Sequence, residues 1–309
     1  RKLQLANHLD RLFGPFGVML PFVLNDLEGE IEWITLHSGM TLYQQGDEAT
    51  GAYILMAGRL QMATQAPDDR EVVDKTVLAG ETVGEVALLT GKPQAHTVYA
   101  ARDSELVRLS KNSFELMLQR NTRAIHNVSK ILGERLASGP VARDPARMPI
   151  RCISLVPASP NVELASLALG LERELRVYGS TLHIDSQVVE RELGTPSIAQ
   201  AAENEAAGLR LTEWLHEQED ALRYLVYQAD PKWTAWSARC VRQTDQVVVI
   251  AEASSEPTLD DVAKRLSGPR QQWSLVLLHP AGLDRPRNTA KWLRSGNMGG
   301  VFHVRRENK

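Results

Sequence analysis

A chain of 309 residues is about two domains long at roughly 150 residues each. Its 43% hydrophobic and 24% charged residues exclude a disordered or fibrous chain. The net charge is −3 with no basic excess on either side of the proline-rich middle, which argues against DNA or other nucleic-acid partners.

The opening segment, Leu3–Leu12, is an amphipathic helix by its spacing and does not read as a signal peptide. Apolar runs such as Gly17–Leu24 fall far short of the roughly 20 residues that cross a bilayer. Short strands are then predicted at Glu32–Leu36, Thr41–Tyr43, Ala52–Met56, Gly58–Ala63, Val72–Leu78, Thr97–Ala100 and Glu105–Leu109. Gly39, Gly46-Asp47, Gly58, Asp68-Asp69, Gly80 and Gly91 punctuate them. That rhythm predicts a small antiparallel β-barrel or sandwich, with helical pattern flanking it. Asn112 or Ser113 is expected to cap a helix from Phe114, and Ala124–Leu136 continues in helical period. The stripe Ile125, Val128, Ile131, Leu132 and Leu136 has two readings, packing on the barrel or pairing in a homodimer.

Residues 139–149, GPVARDPARMP, hold three prolines that block helix and sheet alike, so they form the expected linker between domains at 1–138 and 150–309. Beyond it the pattern becomes strand, helix, strand. Strands are predicted at Ile150–Val156, Thr181–Ile184, Leu222–Tyr227, Gln246–Ala251, Trp273–Leu278 and Gly300–Val304. Helices are predicted at Val162–Val177, Gly208–Gln218, Thr234–Arg242, Leu259–Leu266 and Asn288–Leu293. This alternation predicts an α/β, Rossmann-like domain with a mostly parallel sheet and helices on both faces. Cys152 and Cys240 are the two cysteines; they form no disulfide framework and fit a reducing, cytoplasmic compartment.

Residues 79–98, AGETVGEVALLTGKPQAHTV, carry the most chemistry. Together with Gly39, Gln45-Gly46-Asp47 and residues 53–60, YILMAGRL, they resemble the cyclic nucleotide-binding domain over most of residues 20–138. A short helix at Glu85–Leu88 would aim backbone N–H groups and a positive dipole end at an anionic phosphate, and Gly84 would allow close approach. The resemblance implies a barrel of the jelly-roll type with flanking helices, and a pocket of Gly84, Glu85, Val86, Gln94, Ala95, His96 and Thr97. Glu85 would accept from a ribose hydroxyl, the Ala95 N–H would face the phosphate, and Thr97 would touch the base. The ligand implied is cyclic AMP, cyclic GMP or another anionic nucleotide.

One position departs from that pattern. The family places arginine after the proline, and here Gln94 follows Pro93. A guanidinium offers charge and a bidentate fork, an amide only neutral donors. Charge-assisted bonds are worth about 1.5–3 kcal/mol against about 1 for neutral ones, so affinity should fall roughly ten-fold or more. Lys92 is close enough in sequence to compensate, and His96 stands where the family has a small residue. Ligand sensing and a non-binding scaffold both stay open.

In the second domain the turn Pro157–Asn161 holds no glycine and no lysine, so it is not a phosphate-cradling P-loop; the strand order looks like partition-type ATPases without the catalytic loop. Residues 211–230, LTEWLHEQEDALRYLVYQAD, then 234–245, TAWSARCVRQTD, and Glu256–Leu259 resemble the segment preceding the patatin-like catalytic domain in the neuropathy target esterase family. The resemblance covers about residues 150–305 and implies a (lyso)phospholipase hydrolase domain as partner, with membrane contact only through that enzyme. The serine elbow G-x-S-x-G and the D-G-[GA] triplet of that hydrolase do not occur here, so a fragment or a relative lacking it is expected. No cofactor, metal or catalytic residue is expected in this chain. Weaker candidates are an acidic group at Glu217, Glu219 and Asp220, a switch-point His279, and a Cys240 thiol beside Arg239 and Arg242. Trp233 and Trp236 would share a helix face, while His37, Ser38 and Asp47 form a triad only on paper.

Overall fold

The computed structural model describes residues 5, 9, 31–65, 71–120, 126, 130, 133, 150–159, 161–202, 205–257, 259–266, 273–283, 285–293 and 298–306. The linker at 139–149, the stripe of Ala124–Leu136 and most of Leu3–Leu12 lie outside them; Leu5 and Leu9 are helical and buried. The chain divides into two compact units, Arg1–Met148 and Pro149–Lys309.

The first unit is an antiparallel β domain. Its strands are β1 (Ile31–Leu36), β2 (Thr41–Tyr43), β3 (Gly51–Gln65), β4 (Glu71–Leu78), β5 (Thr82–Val83) and β6 (Thr97–Ser110). They form a sheet in the order β1-β6-β3-β4, with β2 added on β6 and β5 on β3. Two predicted strand pairs are each one long strand here: β3 runs through Gly58, and β6 runs through Arg102 and Asp103. The reason is a run of three register shifts rather than a turn. Pairing of β3 with β6 shifts register between Leu55 and Ala57, Ala57 and Arg59, and Arg59 and Leu60. Gly58 sits there at φ 94°, and a Cβ on it would lie 2.5 Å from the Asp103 carbonyl oxygen. The Ser104 hydroxyl accepts from the Arg59 N–H at 3.0 Å, so the break in the ladder leaves that donor satisfied. Leu55, Leu60, Val77, Val98, Ala100 and Leu106 form the core these strands enclose.

The helices of this unit with described bounds are α1 (Glu85–Thr90) and α2 (Lys111–Arg120). The second starts earlier than predicted because its cap is neither Asn112 nor Ser113. The Ser110 hydroxyl accepts from the Ser113 N–H at 3.1 Å.

The second unit holds β7 (Cys152–Pro157), β8 (Thr181–Ile184), β9 (Tyr224–Gln228), β10 (Gln246–Glu252), β11 (Trp273–His279) and β12 (Gly300–Arg305). The sheet order is β12-β11-β10-β7-β9-β8, and every pairing is parallel. Between strands lie α3 (Ala165–Leu175), α4 (Ser186–Leu193), a 3-10 turn (Ile198–Gln200), α5 (Ala206–Ala221), α6 (Ala235–Arg242), α7 (Leu259–Arg265) and α8 (Thr289–Trp292). The helix α4 is absent from the sequence reading. Its signals are the Asp185 carboxylate, which accepts from the Val188 N–H at 2.7 Å, and Gly194 at φ 59°.

Crossover handedness distributes these helices. Only the β7–α3–β8 connection runs toward the β8 edge; every later one runs the other way. Right-handed crossovers therefore place α3 on one face and α4 to α8 on the other. The packing agrees. Ala168 of α3 joins Leu155, Val226, Ile250 and Leu278. Residues of α4, α5 and α6 pack with Cys152, Leu225 and Tyr227, and residues of α7 and α8 pack with Val249, Leu275 and Leu277. No helix among the described residues is long and apolar enough to cross a membrane.

Gly58→Ala should destabilise the first unit by at least about 2 kcal/mol, since it adds both left-handed strain and a backbone clash. Urea unfolding should show the transition of that unit move and that of the second stay.

Candidate functional site

The cassette of the first unit forms because glycine is required at Gly84. This residue caps α1 at φ 85° and ψ −15°, and a Cβ would meet the Gly51 carbonyl oxygen at 2.9 Å. The turn thus presses on β3 and delivers α1 against it. Glu85, the first residue of α1, is buried, whereas Val86 points outward and is 44% exposed.

Gln94 is buried too, at 6% exposure. Its backbone is pinned on both sides: its N–H donates to the Asp47 carbonyl at 2.8 Å and its carbonyl accepts from Gly46 at 2.8 Å. Its amide nitrogen lies 3.5 Å from where a Gly84 Cβ would be. Gly84, Glu85 and Gln94 are thereby gathered, with a neutral amide where the resemblance expects a guanidinium. Ala95 is exposed. The Thr97 hydroxyl accepts from the Gln45 N–H at 3.0 Å, and His96 Nε2 stands 3.9 Å from Asp74 Oδ2. Asp74, which also takes the Thr64 hydroxyl, belongs to β4 and carries no local signal that would single it out.

The second unit's ligand position would be the carboxyl edge of its sheet, between β7 and β10, where the connections diverge. That edge is internally satisfied. In the turn after β7, the Ala158 N–H donates to the Ile250 carbonyl at 2.8 Å and the Val162 N–H to Ser159 at 3.1 Å. These donors do not face an open cradle. After β9, the Asp230 carboxylate accepts from Ser186 Oγ at 2.7 Å, Gln200 Nε2 at 3.0 Å and Thr234 Oγ1 at 2.6 Å. Thr234 in turn caps α6 by accepting from the Ser237 N–H, and Gln200 accepts from the Trp236 N–H at 3.2 Å. One carboxylate therefore ties β9, α4, the 3-10 turn and α6 together.

Among the weaker sequence candidates, the buried Cys240 and the dispersed His37, Ser38 and Asp47 match the plainer expectation, and the shared face of Trp233 and Trp236 does not. His37 Nδ1 lies 3.5 Å from Asp103, whose Oδ1 also accepts from the Ser38 N–H, while Asp47 bonds Gln44, so the paper triad is not assembled. Trp233 and Trp236 do not share a face: Trp233 lies before the helix under Arg265, and Trp236 is fully buried with its indole N–H on the Gln228 carbonyl. Burial, and then Asp230, push the Cys240 thiol well up; the opposite pull of Arg239 is smaller. His279 Nε2 and His303 Nδ1 are 3.0 Å apart. Burial first, then His303 and Arg305, hold the His279 pKa below its ordinary value. Sequence reading misses His303 because its partner lies on the neighbouring strand. Among the described residues, no group of three His, Cys, Asp or Glu is placed to hold a metal ion.

Residues 149–309 match the family model of the neuropathy target esterase family P-loop like domain, more than half of the chain. The chain belongs to the neuropathy target esterase family. Residues 33–121 match the cyclic nucleotide-binding domain model. Patatin-like phospholipase domain-containing protein 6 of Homo sapiens is 31% identical over 309 residues, 93% of this chain and 22% of that protein. Neuropathy target esterase sws of Drosophila virilis is 30% identical over 307 residues, 95% of this chain and 20% of that protein. The chain thus spans about a fifth of the length of these relatives. Among solved structures, the regulatory domain of Toxoplasma gondii PKA with cAMP covers 38% of this chain and 44% of its own at 28% identity, TM-score 0.34. A cyclic nucleotide-binding domain from Methylobacillus flagellatus covers 48% and 85% at 15% identity, TM-score 0.40. The turn at residues 157–161 of this P-loop like domain holds neither the glycines nor the lysine of a P-loop.

Asp230→Ala should cost about 2–3 kcal/mol, because three donors lose a charged acceptor at once, and Asp230→Asn should recover part of that loss. Thermal unfolding of both variants checks it. For His279, a folded pKa below the unfolded value near 6.5 means that stability is complete above that pH and is lost as pH falls through it. The Tm should drop between pH 7.5 and 5.5, and His279→Gln should flatten that slope.

Proposed function

We propose that this chain is the regulatory region of a patatin-like (lyso)phospholipase. Its first unit acts as a low-affinity sensor for cyclic AMP, cyclic GMP or a similar anionic nucleotide, and its second unit docks or relays to the hydrolase. The observation that carries this reading is the run of about 30% identity across both units into proteins named as patatin-like phospholipases and neuropathy target esterases. The gathering of Gly84, Glu85 and Gln94 into one cassette supports the sensor part. The hydrogen bonds that Asp230 takes from Ser186, Gln200 and Thr234 at the carboxyl edge of the second unit support a relay without chemistry of its own. Cys152 and Cys240 are both buried free thiols, which fits a reducing, cytoplasmic compartment.

A second reading, a scaffold or dimerisation module without ligand, is favoured by one observation. Gln94 is neutral and buried where a charged partner of phosphate would reach out.

Calorimetric titration with cyclic AMP and cyclic GMP separates them. The sensor reading predicts weak saturable binding and a gain of roughly ten-fold or more for Gln94→Arg. No heat at millimolar ligand for either protein would leave only the scaffold. Deleting residues 1–138 from the full-length phospholipase should alter turnover under the sensor reading and only assembly under the other.

A further inference from the structure

The two faces of the parallel sheet are not equally covered. Such sheets normally bury both faces. Here α3 is the one described helix on its face, and it packs on β8 and β9. A helix is about 10 Å wide and strands are about 4.8 Å apart, so α3 alone shelters two or three strands of six, and Val162 and Leu164 just before it share a buried cluster with Ile250 of β10 and Leu278 of β11. The half over β10, β11 and β12 carries no described helix.

Side-chain exposure follows that geometry. The register row Ile250, Val276, Phe302 runs from buried through half-buried to 56% exposed as it leaves α3. In the next row Leu278 is buried and Val304 is 36% exposed. The ends of this apolar band are polar but already satisfied. Gln246 Nε2 donates to Ser274 Oγ at 3.1 Å at one end, and Arg306 pairs with Glu252 at the other.

The flank of α3 completes the slot. Glu172 accepts from the His183 N–H of β8, so that side of α3 faces the β8 edge. At 100° per residue, Leu167, Gly170 and Leu171 lie on the opposite side, toward β10. Leu167 and Leu171 are half-buried, and a Cβ on Gly170 would meet nothing within 4 Å. A glycine in mid-helix with open space beside it permits a second helix to approach closely.

We propose that this slot receives an amphipathic helix of the hydrolase region, seated on Val276, Phe302 and Val304 and against Gly170. The source rests on the regulatory reading above. Shape and charge select the occupant. The band measures roughly 10 by 15 Å from strand rise and spacing. That is one helix footprint and far below the about 800 Å² per partner that a stable dimer buries. Its charges are paired, so it favours an uncharged apolar stripe over an anionic ligand.

The test uses a Phe302→Cys variant, since Cys152 and Cys240 are buried. Labelling of the introduced thiol is compared in this chain and in the full-length phospholipase, with a photo-crosslinker at the same position to map what covers it. The proposal predicts at least ten-fold slower labelling in the full-length protein and crosslinks to the hydrolase region. Adding Gly170→Leu should raise the Tm of this chain, as a helix former replaces glycine in open space, yet restore fast labelling in the full-length protein. Equal labelling rates would overturn the proposal. So would protection of this chain alone that grows with its concentration, or crosslinks confined to other segments. The nucleotide titration is independent, so failure of the slot and failure of the sensor are separable.

Discussion

The second unit turns on the carboxylate of Asp230. It follows the carboxyl end of β9, the strand beside the β8 edge, where an open α/β sheet presents its ligand-facing loops, and P-loop proteins use an aspartate to hold a metal ion. In this chain that carboxylate is surrounded by two hydroxyls and an amide from three other elements. Two of these donors are themselves oriented: Thr234 by the start of α6, Gln200 by the Trp236 N–H. A charge that could serve a ligand serves instead as a fastener. The neighbouring turn is consistent with this, since its Ala158 and Val162 N–H groups bond within the protein. The result is a nucleotide-type fold whose polar groups are committed to holding loops in place.

The first unit shows a related economy. Gly84 is demanded by the contact with Gly51, whatever ligand binds, so the cassette's shape is part of the packing of β3. Gln94 keeps its backbone bonds to Gly46 and Asp47 and so preserves the turn, although its side chain lacks charge. Shape and chemistry are therefore separable here. The fold of a cyclic nucleotide-binding domain persists through main-chain contacts that are indifferent to the residue at position 94.

Much of this is legible in the sequence where the physics is local. Thr41–Tyr43 and Thr181–Ile184 fall where alternation and flanking turn residues place them. The parallel sheet follows from strands and helices in alternation. Legibility fails where distant residues decide. Gly58 reads as a turn, yet Ser104 on the partner strand makes it a bulge inside one strand. The helix Ser186–Leu193 is short and rich in charge, which hides its period, although Asp185 and Gly194 mark both of its ends. The role of Asp230 depends on Ser186 and Gln200, which are 44 and 30 residues away, and His279 depends on His303 across a strand pair.

The role proposed for this chain is regulation without phosphate chemistry. The most direct measurement is thermal unfolding of the chain with and without millimolar magnesium nucleoside triphosphate, with free phosphate assayed alongside. A ligand at a hundred times its Kd would add about 2.7 kcal/mol, a shift that is easily seen. The account predicts an unchanged Tm and no phosphate released. A saturable rise in Tm accompanied by phosphate release would contradict it.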